Sequence, residues 1–177
     1  SLIILAVQVL AAKGLSAPER LGELINILTT STGMPFGICS GQGWESEKTI
    51  DLSAYHKLKT ASLFVAATKM GAISAGEDPE PWAELGQRIG EAFQVADDLK
   101  DFSDSQKSGK SNNRDSENER PNAVLKLGEQ GAIKRLQDIL AGAIASIPSC
   151  PGEVELIKIV RSQAERLTPV EPLQKAL

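Results

Sequence analysis

The chain has 177 residues, of which 41% are hydrophobic and 24% charged, as in a folded globular protein with a substantial core. Its formal net charge of −4 disfavours a nucleic-acid-binding surface, which is usually basic. No uninterrupted apolar run reaches the roughly 18 residues of a membrane span, and no signal peptide is recognisable. Two cysteines, Cys39 and Cys150, lack metal-ligand spacing. We interpret them as reduced thiols of a cytoplasmic protein, with a disulfide as the alternative.

Hydrophobic spacing indicates helices along the whole chain, without sustained alternation of period two. The apolar stretch 2–13 is expected to form a buried helix. A capping box from Ser16 to Glu19 is expected to start the second helix, which would run to about Glu47 with a kink at Pro35. The chain opens without a methionine, and we interpret it as part of a longer protein.

The middle of the sequence predicts two helices that pack closely. The stretch 58–75 is apolar or small on nearly every face, which favours a position inside a bundle. Asp78 is expected to cap the next helix, which runs to about Phe102. Apolar residues recur in it at alternating steps of three and four, typical of a packing seam. They are Trp82, Leu85, Ile89, Ala92, Ala96 and Leu99.

The final third begins with a polar stretch, 103–122, that lacks periodicity and is expected to be a flexible loop. Shorter helices are predicted from Pro121, over 129–147 and over 152–167. We therefore predict a single all-α domain covering 1–177, with seven or eight helices in a bundle.

Three aspartates lie within five positions of one predicted helix: Asp97, Asp98 and Asp101. Like charges at helical neighbours repel by a few tenths of a kcal/mol per pair, so the sequence must either expose them or supply a cation. A solvated acidic face is the simpler interpretation. A metal site is favoured by Gly90, one turn before Gln94, where a missing side chain is expected to open space.

Magnesium fits the aspartate spacing better than calcium does. Carboxylates one turn apart can hold a Mg²⁺ ion that keeps several waters and shares substrate phosphates. A calcium-binding EF-hand loop beginning at Asp101 would need Gly at position 6 and Glu at position 12. The sequence has Gln106 and Asn112 there, so the EF-hand is excluded.

Basic residues accompany the aspartates in the sequence. Lys59 and Thr60 open the apolar helix, and Lys59 is interpreted either as a snorkelling side chain or as a ligand. Further cations lie in the polar stretch: Lys107, Lys110, Arg114 and Arg120. Mg²⁺, a lysine and an apolar helix together suit a diphosphate with a hydrocarbon tail.

Five segments of the chain, taken in their order and spacing, resemble the trans-isoprenyl diphosphate synthases, or polyprenyl synthetases. Within that family the sequence is most similar to bacterial geranylgeranyl diphosphate synthases of carotenoid and bacteriochlorophyll pathways. The segments are GQGWESE (41–47), YHKLKTASLF (55–64), GEAFQVADDLKD (90–101), GK (109–110) and ERPNAV (119–124).

The resemblance implies a fold, a reaction and an assembly. The fold is an isoprenoid-synthase-type helical bundle around a deep cavity, here without its N-terminal helices, and the assembly is a homodimer. The reaction is the head-to-tail condensation of isopentenyl diphosphate with an allylic diphosphate. The allylic diphosphate ionises with the help of Mg²⁺, isopentenyl diphosphate attacks the carbocation, and a proton is lost.

The resemblance also implies roles for individual residues. Mg²⁺ on the allylic diphosphate would be held by Asp97, Asp98 and Asp101. Cationic contacts to that diphosphate would come from Lys59, Lys110 and Arg120, the last standing where the family often has lysine. Oxygen atoms along the path of the carbocation would come from Thr60, Gln94 and Gln42. Phe93 would shape the cavity, with a core aromatic as the alternative.

Departures from the family pattern limit what this chain is expected to do alone. Glu45 stands where the family usually has aspartate, and Lys100 replaces a common leucine. The family's first aspartate-rich motif and its arginine pair are missing from this sequence. We therefore predict that the 177 residues alone are inactive, although the parent protein is an enzyme.

Three alternatives remain at this point. The enzyme could be a farnesyl diphosphate synthase, since product length is not readable here. The chain could belong to a non-catalytic partner subunit, although such a subunit has no need to keep mutually repelling carboxylates. It could also be a head-to-head or terpene-cyclising relative, which typically carries other acidic motifs.

Overall fold

A computed structural model describes residues 2–44, 57–108 and 122–167, and these ranges contain helices and turns but no strand. The contacts divide the chain into two compact units, Ser1–Gly90 and Glu91–Leu177. The all-α prediction is confirmed, while the single domain stays a prediction. The α-helices are α1 (Leu2–Lys13), α2 (Pro18–Thr32), α3 (Ile38–Trp44), α4 (Ser62–Ala75), α5 (Ala83–Ser108), α6 (Ala123–Ala145) and α7 (Glu153–Leu167).

The first helix, α1, forms where the apolar stretch predicts it, but the expectation that it is buried is wrong. None of its residues is buried, and Leu2, Ile4 and Leu5 are 84%, 59% and 53% exposed. Within this unit α1 contacts α2 and the 3₁₀ turn Gly14–Ser16, which leaves apolar side chains open. Several large apolar side chains exposed along one helix are typical of a surface that packs against another.

The start of α2 differs from the predicted capping box. The Ser16 hydroxyl donates a hydrogen bond to the Lys13 carbonyl at 2.7 Å, so it closes the turn after α1 instead of capping α2. Ala17 occupies the cap position without a side-chain hydrogen bond, and Pro18 begins the helix. At its other end α2 stops at Thr32, and Pro35 lies in a turn before α3, so the predicted kink is a complete break. Glu47 lies outside the described residues.

Helices α2 and α4 pack together in the first unit. Their buried side chains include Leu24 and Leu28 of α2 and Ala66 and Ile73 of α4. Burial covers one face of α4, since Leu63 is 38% exposed, so the expectation that it is enclosed on every side is wrong.

The end of α4 is tied to α2 by an arginine. The Arg20 guanidinium donates to the Ser74 carbonyl at 2.8 Å. Gly76 follows with a φ of +85°, the left-handed conformation that commonly ends helices. The bond from Arg20 thus supplies a donor to the Ser74 carbonyl, one of the last carbonyls of α4, which the helix itself leaves without a partner.

Helix α5 packs as predicted, but it begins later and extends further than the sequence indicated. The Asp78 carboxylate accepts a hydrogen bond from the Glu80 amide at 3.0 Å, but Glu80 belongs to a 3₁₀ turn, Glu80–Trp82, that precedes α5 and has Pro79 at its cap position. Asp78 therefore supports the turn before the helix and is not the N-cap of α5 itself. Of the predicted seam, Leu85, Ala92, Ala96 and Leu99 are buried. The helix continues to Ser108, so residues 103–108 are helical and not part of a loop. Residues 91–108 contain no Gly or Pro that would stop the helix, and 109–121 lie outside the described residues.

The second unit is built on α5 and α6. Gly128, with φ of +72°, interrupts α6, which accounts for the two separate helices that the sequence predicts there. The hydrophobic core of the second unit is formed by buried side chains of both helices. They include Ala92, Val95, Ala96, Leu99, Val124, Ala132, Ile133, Leu136, Ile139 and Leu140. The final helix, α7, agrees with the prediction over 152–167 to within one residue.

Two further expectations concern cysteines and membranes. Cys39 is exposed, Cys150 is partly buried, and both are free thiols, as predicted.

In the described ranges, no helix combines the length and the apolar character that crossing a bilayer would require.

Candidate active site

The aspartates of α5 differ in their surroundings. Asp97 and Asp101 are exposed and stand one helical turn apart, while Asp98 is partly buried. Side chains four positions apart lie on the same face of a helix, so the two exposed carboxylates can approach one ion together. Asp98 points to a neighbouring part of the helix surface, because one residue corresponds to a rotation of about 100°.

Asp98 accepts two hydrogen bonds within the second unit. One carboxylate oxygen accepts from the Ala123 backbone amide at 2.7 Å, and the other accepts from the Gln94 side-chain amide at 3.3 Å. Ala123 is the first residue of α6. Asp98 therefore connects the aspartate motif to the N-terminus of the next helix, a role that the sequence did not reveal.

The N-terminus of α6 is satisfied by two side chains. The Asn122 side-chain oxygen accepts from the amides of Val124 and Leu125 at 2.8 and 3.2 Å. Together with Asp98 on Ala123, three of the four amides that a helix leaves unpaired at its start have acceptors. Asparagine before an apolar helix was the available sequence signal for the cap, whereas the distant Asp98 had none.

The donor set on α5 suits Mg²⁺ that is completed by a ligand. Across the described residues, no group of three or more His, Cys, Asp or Glu side chains is arranged to hold a metal alone. Mg²⁺ usually binds one or two carboxylates and takes its other oxygens from water and substrate phosphates. Asp97 and Asp101 fit that requirement, and Asp98, with both oxygens accepting hydrogen bonds, supports them.

Lys59 and Thr60 lie in an unusual stretch of backbone. Residues Lys57–Ala61 form a π-helical turn that leads into α4, in place of the regular helix start that we predicted. Both side chains are partly buried, and Ala61 is buried. Single π-helical turns are rare and are found frequently at functional sites.

The turn is contacted by two glycines. A Cβ placed on Gly41 of α3 would lie 2.7 Å from the backbone nitrogen of Lys59, and one on Gly90 of α5 would lie 2.7 Å from the Ala61 Cα. The expectation that Gly90 opens space is therefore wrong. Its missing side chain allows two backbones to approach each other, and no room is left over.

The other predicted site residues occupy varied positions. Gln42 follows Gly41 on α3, the helix that packs on the π-helical turn, and is exposed. Phe93 is 40% exposed, so the alternative of a core aromatic is wrong. Gln94 is partly buried, and its side-chain amide donates the hydrogen bond to Asp98 given above. Lys110 and Arg120 lie outside the described residues.

We expect Asp98→Ala to lower the free energy of unfolding by about 1–2 kcal/mol, because the Ala123 amide loses its acceptor. Urea denaturation of the full-length protein measures this. Asp97→Ala is the matched control on the same helix and should change stability by less than about 0.5 kcal/mol, as an exposed residue. Equal effects of the two substitutions would contradict the connecting role of Asp98.

Comparison with known proteins identifies the class. Residues 2–158 match the polyprenyl synthetase family, and the chain belongs to that family. It is 57% identical, over 97% of its length, to a geranylgeranyl diphosphate synthase of Cereibacter sphaeroides, and 53% identical over 96% to one of Rhodobacter capsulatus. A farnesyl diphosphate synthase of Haemophilus influenzae is 32% identical over 77% of the chain and is matched over 50% of its own length.

A solved structure supports the same fold. A crystal structure provisionally assigned as a farnesyl-diphosphate synthase from Marinomonas sp. MED121 superposes with a TM-score of 0.66 at 26% identity. The match covers 88% of this chain and 56% of that one. The chain likewise spans 60% and 59% of the two geranylgeranyl diphosphate synthases. These comparisons confirm the predicted isoprenoid-synthase-type helical fold.

Proposed function

We propose that the protein containing this chain is a prenyltransferase that condenses isopentenyl diphosphate with allylic diphosphates, forming geranylgeranyl diphosphate. The observation that carries the proposal is the similarity, at 57% and 53% identity over nearly the whole chain, to two geranylgeranyl diphosphate synthases. The presence of the DDLKD segment (97–101) and of Lys59 and Thr60 supports it, because carboxylates can hold Mg²⁺ on a diphosphate and a lysine can bind the diphosphate directly.

The proposed metal ligands are Asp97, Asp98 and Asp101, with the two exposed carboxylates binding most directly. Mg²⁺ bound there would neutralise charge on the leaving diphosphate and favour its departure. Asp97 and Asp101 present oxygens from one helix face, so they would orient the diphosphate relative to α5. Asp98 would keep α6 in register with that face through its bond to Ala123.

Diphosphate contacts are proposed for Lys59, Lys110 and Arg120. Lysine provides a compact positive charge, and the planar guanidinium of arginine can bind two phosphate oxygens at once. Lys59 is the member of this set that the structure describes, and its partial burial would strengthen its interaction with an anion. We propose that all three act on the diphosphate of the allylic substrate.

Carbocation stabilisation is proposed for the oxygens of Thr60, Gln94 and Gln42. Fixed dipoles aimed at developing charge lower the barrier without reorganising during the reaction. Gln94 supports this role through its position, since it is partly buried and its amide nitrogen donates to Asp98 of the aspartate motif. Phe93, one residue earlier and 40% exposed, would line the hydrocarbon part of the cavity.

We further propose that the protein is a cytoplasmic homodimer in which α1 lies at an interface. The exposed apolar side chains of α1, such as Leu2 and Val9 at 84% and 52% exposure, support a buried position in an assembly. A second copy is the proposed occupant of that surface.

The test of the proposed function is a product analysis. Full-length protein, radiolabelled isopentenyl diphosphate, Mg²⁺ and either dimethylallyl or farnesyl diphosphate should give a labelled C20 diphosphate. A C15 end product would favour the alternative suggested by the Haemophilus influenzae relative, a farnesyl diphosphate synthase. No incorporation with any allylic substrate would contradict the enzyme and favour a non-catalytic partner. The 177 residues alone should show no incorporation.

A further inference from the structure

We propose that Gly41 and Gly90 are positioning residues that fix the π-helical turn, and with it Lys59 and Thr60, by letting two helices touch its backbone. The inference rests on the proposed function for the roles of Lys59 and Thr60. It goes beyond that function in assigning two residues that need not touch the substrate.

Gly41 meets the turn at Lys59. The three heavy atoms nearest to a Cβ built on Gly41 all belong to Lys59: its nitrogen at 2.7 Å, its Cα at 2.9 Å and its Cβ at 3.0 Å. Two of these are backbone atoms, which cannot rotate away as the end of a long side chain can. Any side chain at position 41 must therefore displace Lys59 or α3.

Gly90 meets the turn two residues later. A Cβ built there would lie 2.7 Å from the Ala61 Cα, 3.0 Å from the Ala61 Cβ and 3.3 Å from Cδ2 of Phe64. Gly90 is buried, so solvent offers no room to adjust. A glycine inside a helix costs about 1 kcal/mol relative to alanine, and the close approach to Ala61 gives a physical reason for that cost.

The two contacts enclose Thr60 along the chain. Lys59 on one side of it and Ala61 on the other are both held by neighbouring helices, so little freedom remains for the peptide groups between them. Because π-helical turns are rare, we infer that these contacts keep this one from relaxing toward a regular α-helix. Catalysis is sensitive to such placement, because a displacement of about 1 Å can cost about 100-fold in rate.

Gly43 provides a matched control. It lies on α3 two residues after Gly41, and a Cβ built there meets nothing within 4 Å. Gly41→Ala and Gly43→Ala are therefore the same chemical change on the same helix. The new methyl group would meet the π-helical turn at position 41 and would meet nothing at position 43. Gly90→Ala probes the second contact independently.

Two measurements on the full-length protein test the proposal. Hydrogen–deuterium exchange reports whether the amides of residues 57–61 are loosened, whatever the function is. Calorimetric titration with inorganic pyrophosphate and Mg²⁺ reports whether the diphosphate site is affected. We expect Gly41→Ala and Gly90→Ala to speed exchange in 57–61 and to weaken pyrophosphate binding about tenfold or more. Gly43→Ala should do neither.

A double substitution separates positioning from general destabilisation. Lys59→Gln should itself weaken pyrophosphate binding. If Gly41 acts through Lys59, adding Gly41→Ala to Lys59→Gln should weaken binding by less than about twofold more, because the two effects are not additive. Should the Gly90→Ala protein not fold, Gly41→Ala carries the test, since its nearest contacts are confined to Lys59.

The outcomes are distinguishable. Unchanged exchange in 57–61 for Gly41→Ala would overturn the positioning role while leaving the proposed function intact. Faster exchange with unchanged pyrophosphate binding, in a protein where Lys59→Gln does weaken binding, would also overturn it. Unchanged binding in Lys59→Gln would overturn the proposed diphosphate role of Lys59, and the positioning role with it.

Discussion

Replacing Asp97 with asparagine is expected to lower kcat of the full-length enzyme by at least about 100-fold. The substitution keeps the shape of the side chain and removes its charge. Removing one group that stabilises charge in a transition state typically costs 100- to 1,000-fold, or roughly 3–4 kcal/mol. The loss should appear in kcat, because the proposed metal would act on the ionisation step as well as on binding.

The control for this substitution is Asp138→Asn. Asp138 is also an exposed aspartate in a helix of the second unit, but it belongs to α6 and not to the DDLKD motif. It should leave kcat within about twofold of the starting protein, and both variants should unfold at similar urea concentrations. Near-normal turnover of Asp97→Asn under saturating Mg²⁺ would reject the metal assignment.

Replacing Gly86 with alanine is expected to destabilise the protein by about 1–3 kcal/mol, through overpacking. A Cβ built there would lie 2.6 Å from both the Val65 Cα and the Thr68 hydroxyl oxygen, and 2.7 Å from the Phe64 carbonyl oxygen. Thr68 has little freedom to move, because its hydroxyl donates to the Trp82 carbonyl at 2.9 Å. Urea denaturation of the full-length protein measures the change.

Gly71→Ala is the matched control and is expected to have the opposite sign. Gly71 is exposed within α4, and a Cβ built there meets nothing within 4 Å. The variant should gain about 0.5–1 kcal/mol of stability, since alanine restricts the unfolded chain and favours the helix. Stabilisation by Gly86→Ala as well would contradict the close packing of α4 on α5.

Local patterns in the sequence predicted most of the helices. The three–four spacing through Leu85, Ala92 and Leu99 identified the buried side of α5, because that spacing follows directly from helix geometry. Asp78 was recognisable as an acceptor near the start of α5 for the same reason, since its carboxylate reaches an amide two residues away. Such short-range patterns were informative but not sufficient, because Ser16, in an equally local capping box, bonds the Lys13 carbonyl instead.

Interactions between distant residues could not be read in this way. Asp98 and Ala123 are 25 positions apart, so no periodicity connects the carboxylate with the amide that it binds. The role of Gly90 depends on Ala61, and without that partner a helix glycine is equally compatible with open space and with close packing. The candidate site was therefore predictable by residue type through the family resemblance, whereas its supporting contacts required the structure.

The exposure of α1 shows a further limit of prediction from the sequence. An apolar stretch predicts that a helix is covered, but it does not specify whether its own chain or another copy covers it. Ile4 and Val9, at 59% and 52% exposure, are uncovered by the described residues of this chain. The prediction of burial failed within the chain, and the homodimer proposal assigns that surface to a second copy.

The most direct test of the metal site is a crystal of the full-length protein grown with pyrophosphate and Mn²⁺, which takes the same oxygen ligands as Mg²⁺ and gives anomalous scattering. We predict an anomalous peak about 2.0–2.2 Å from carboxylate oxygens of Asp97 and Asp101, bridging to pyrophosphate. Bound pyrophosphate with no metal peak at either aspartate would contradict the account.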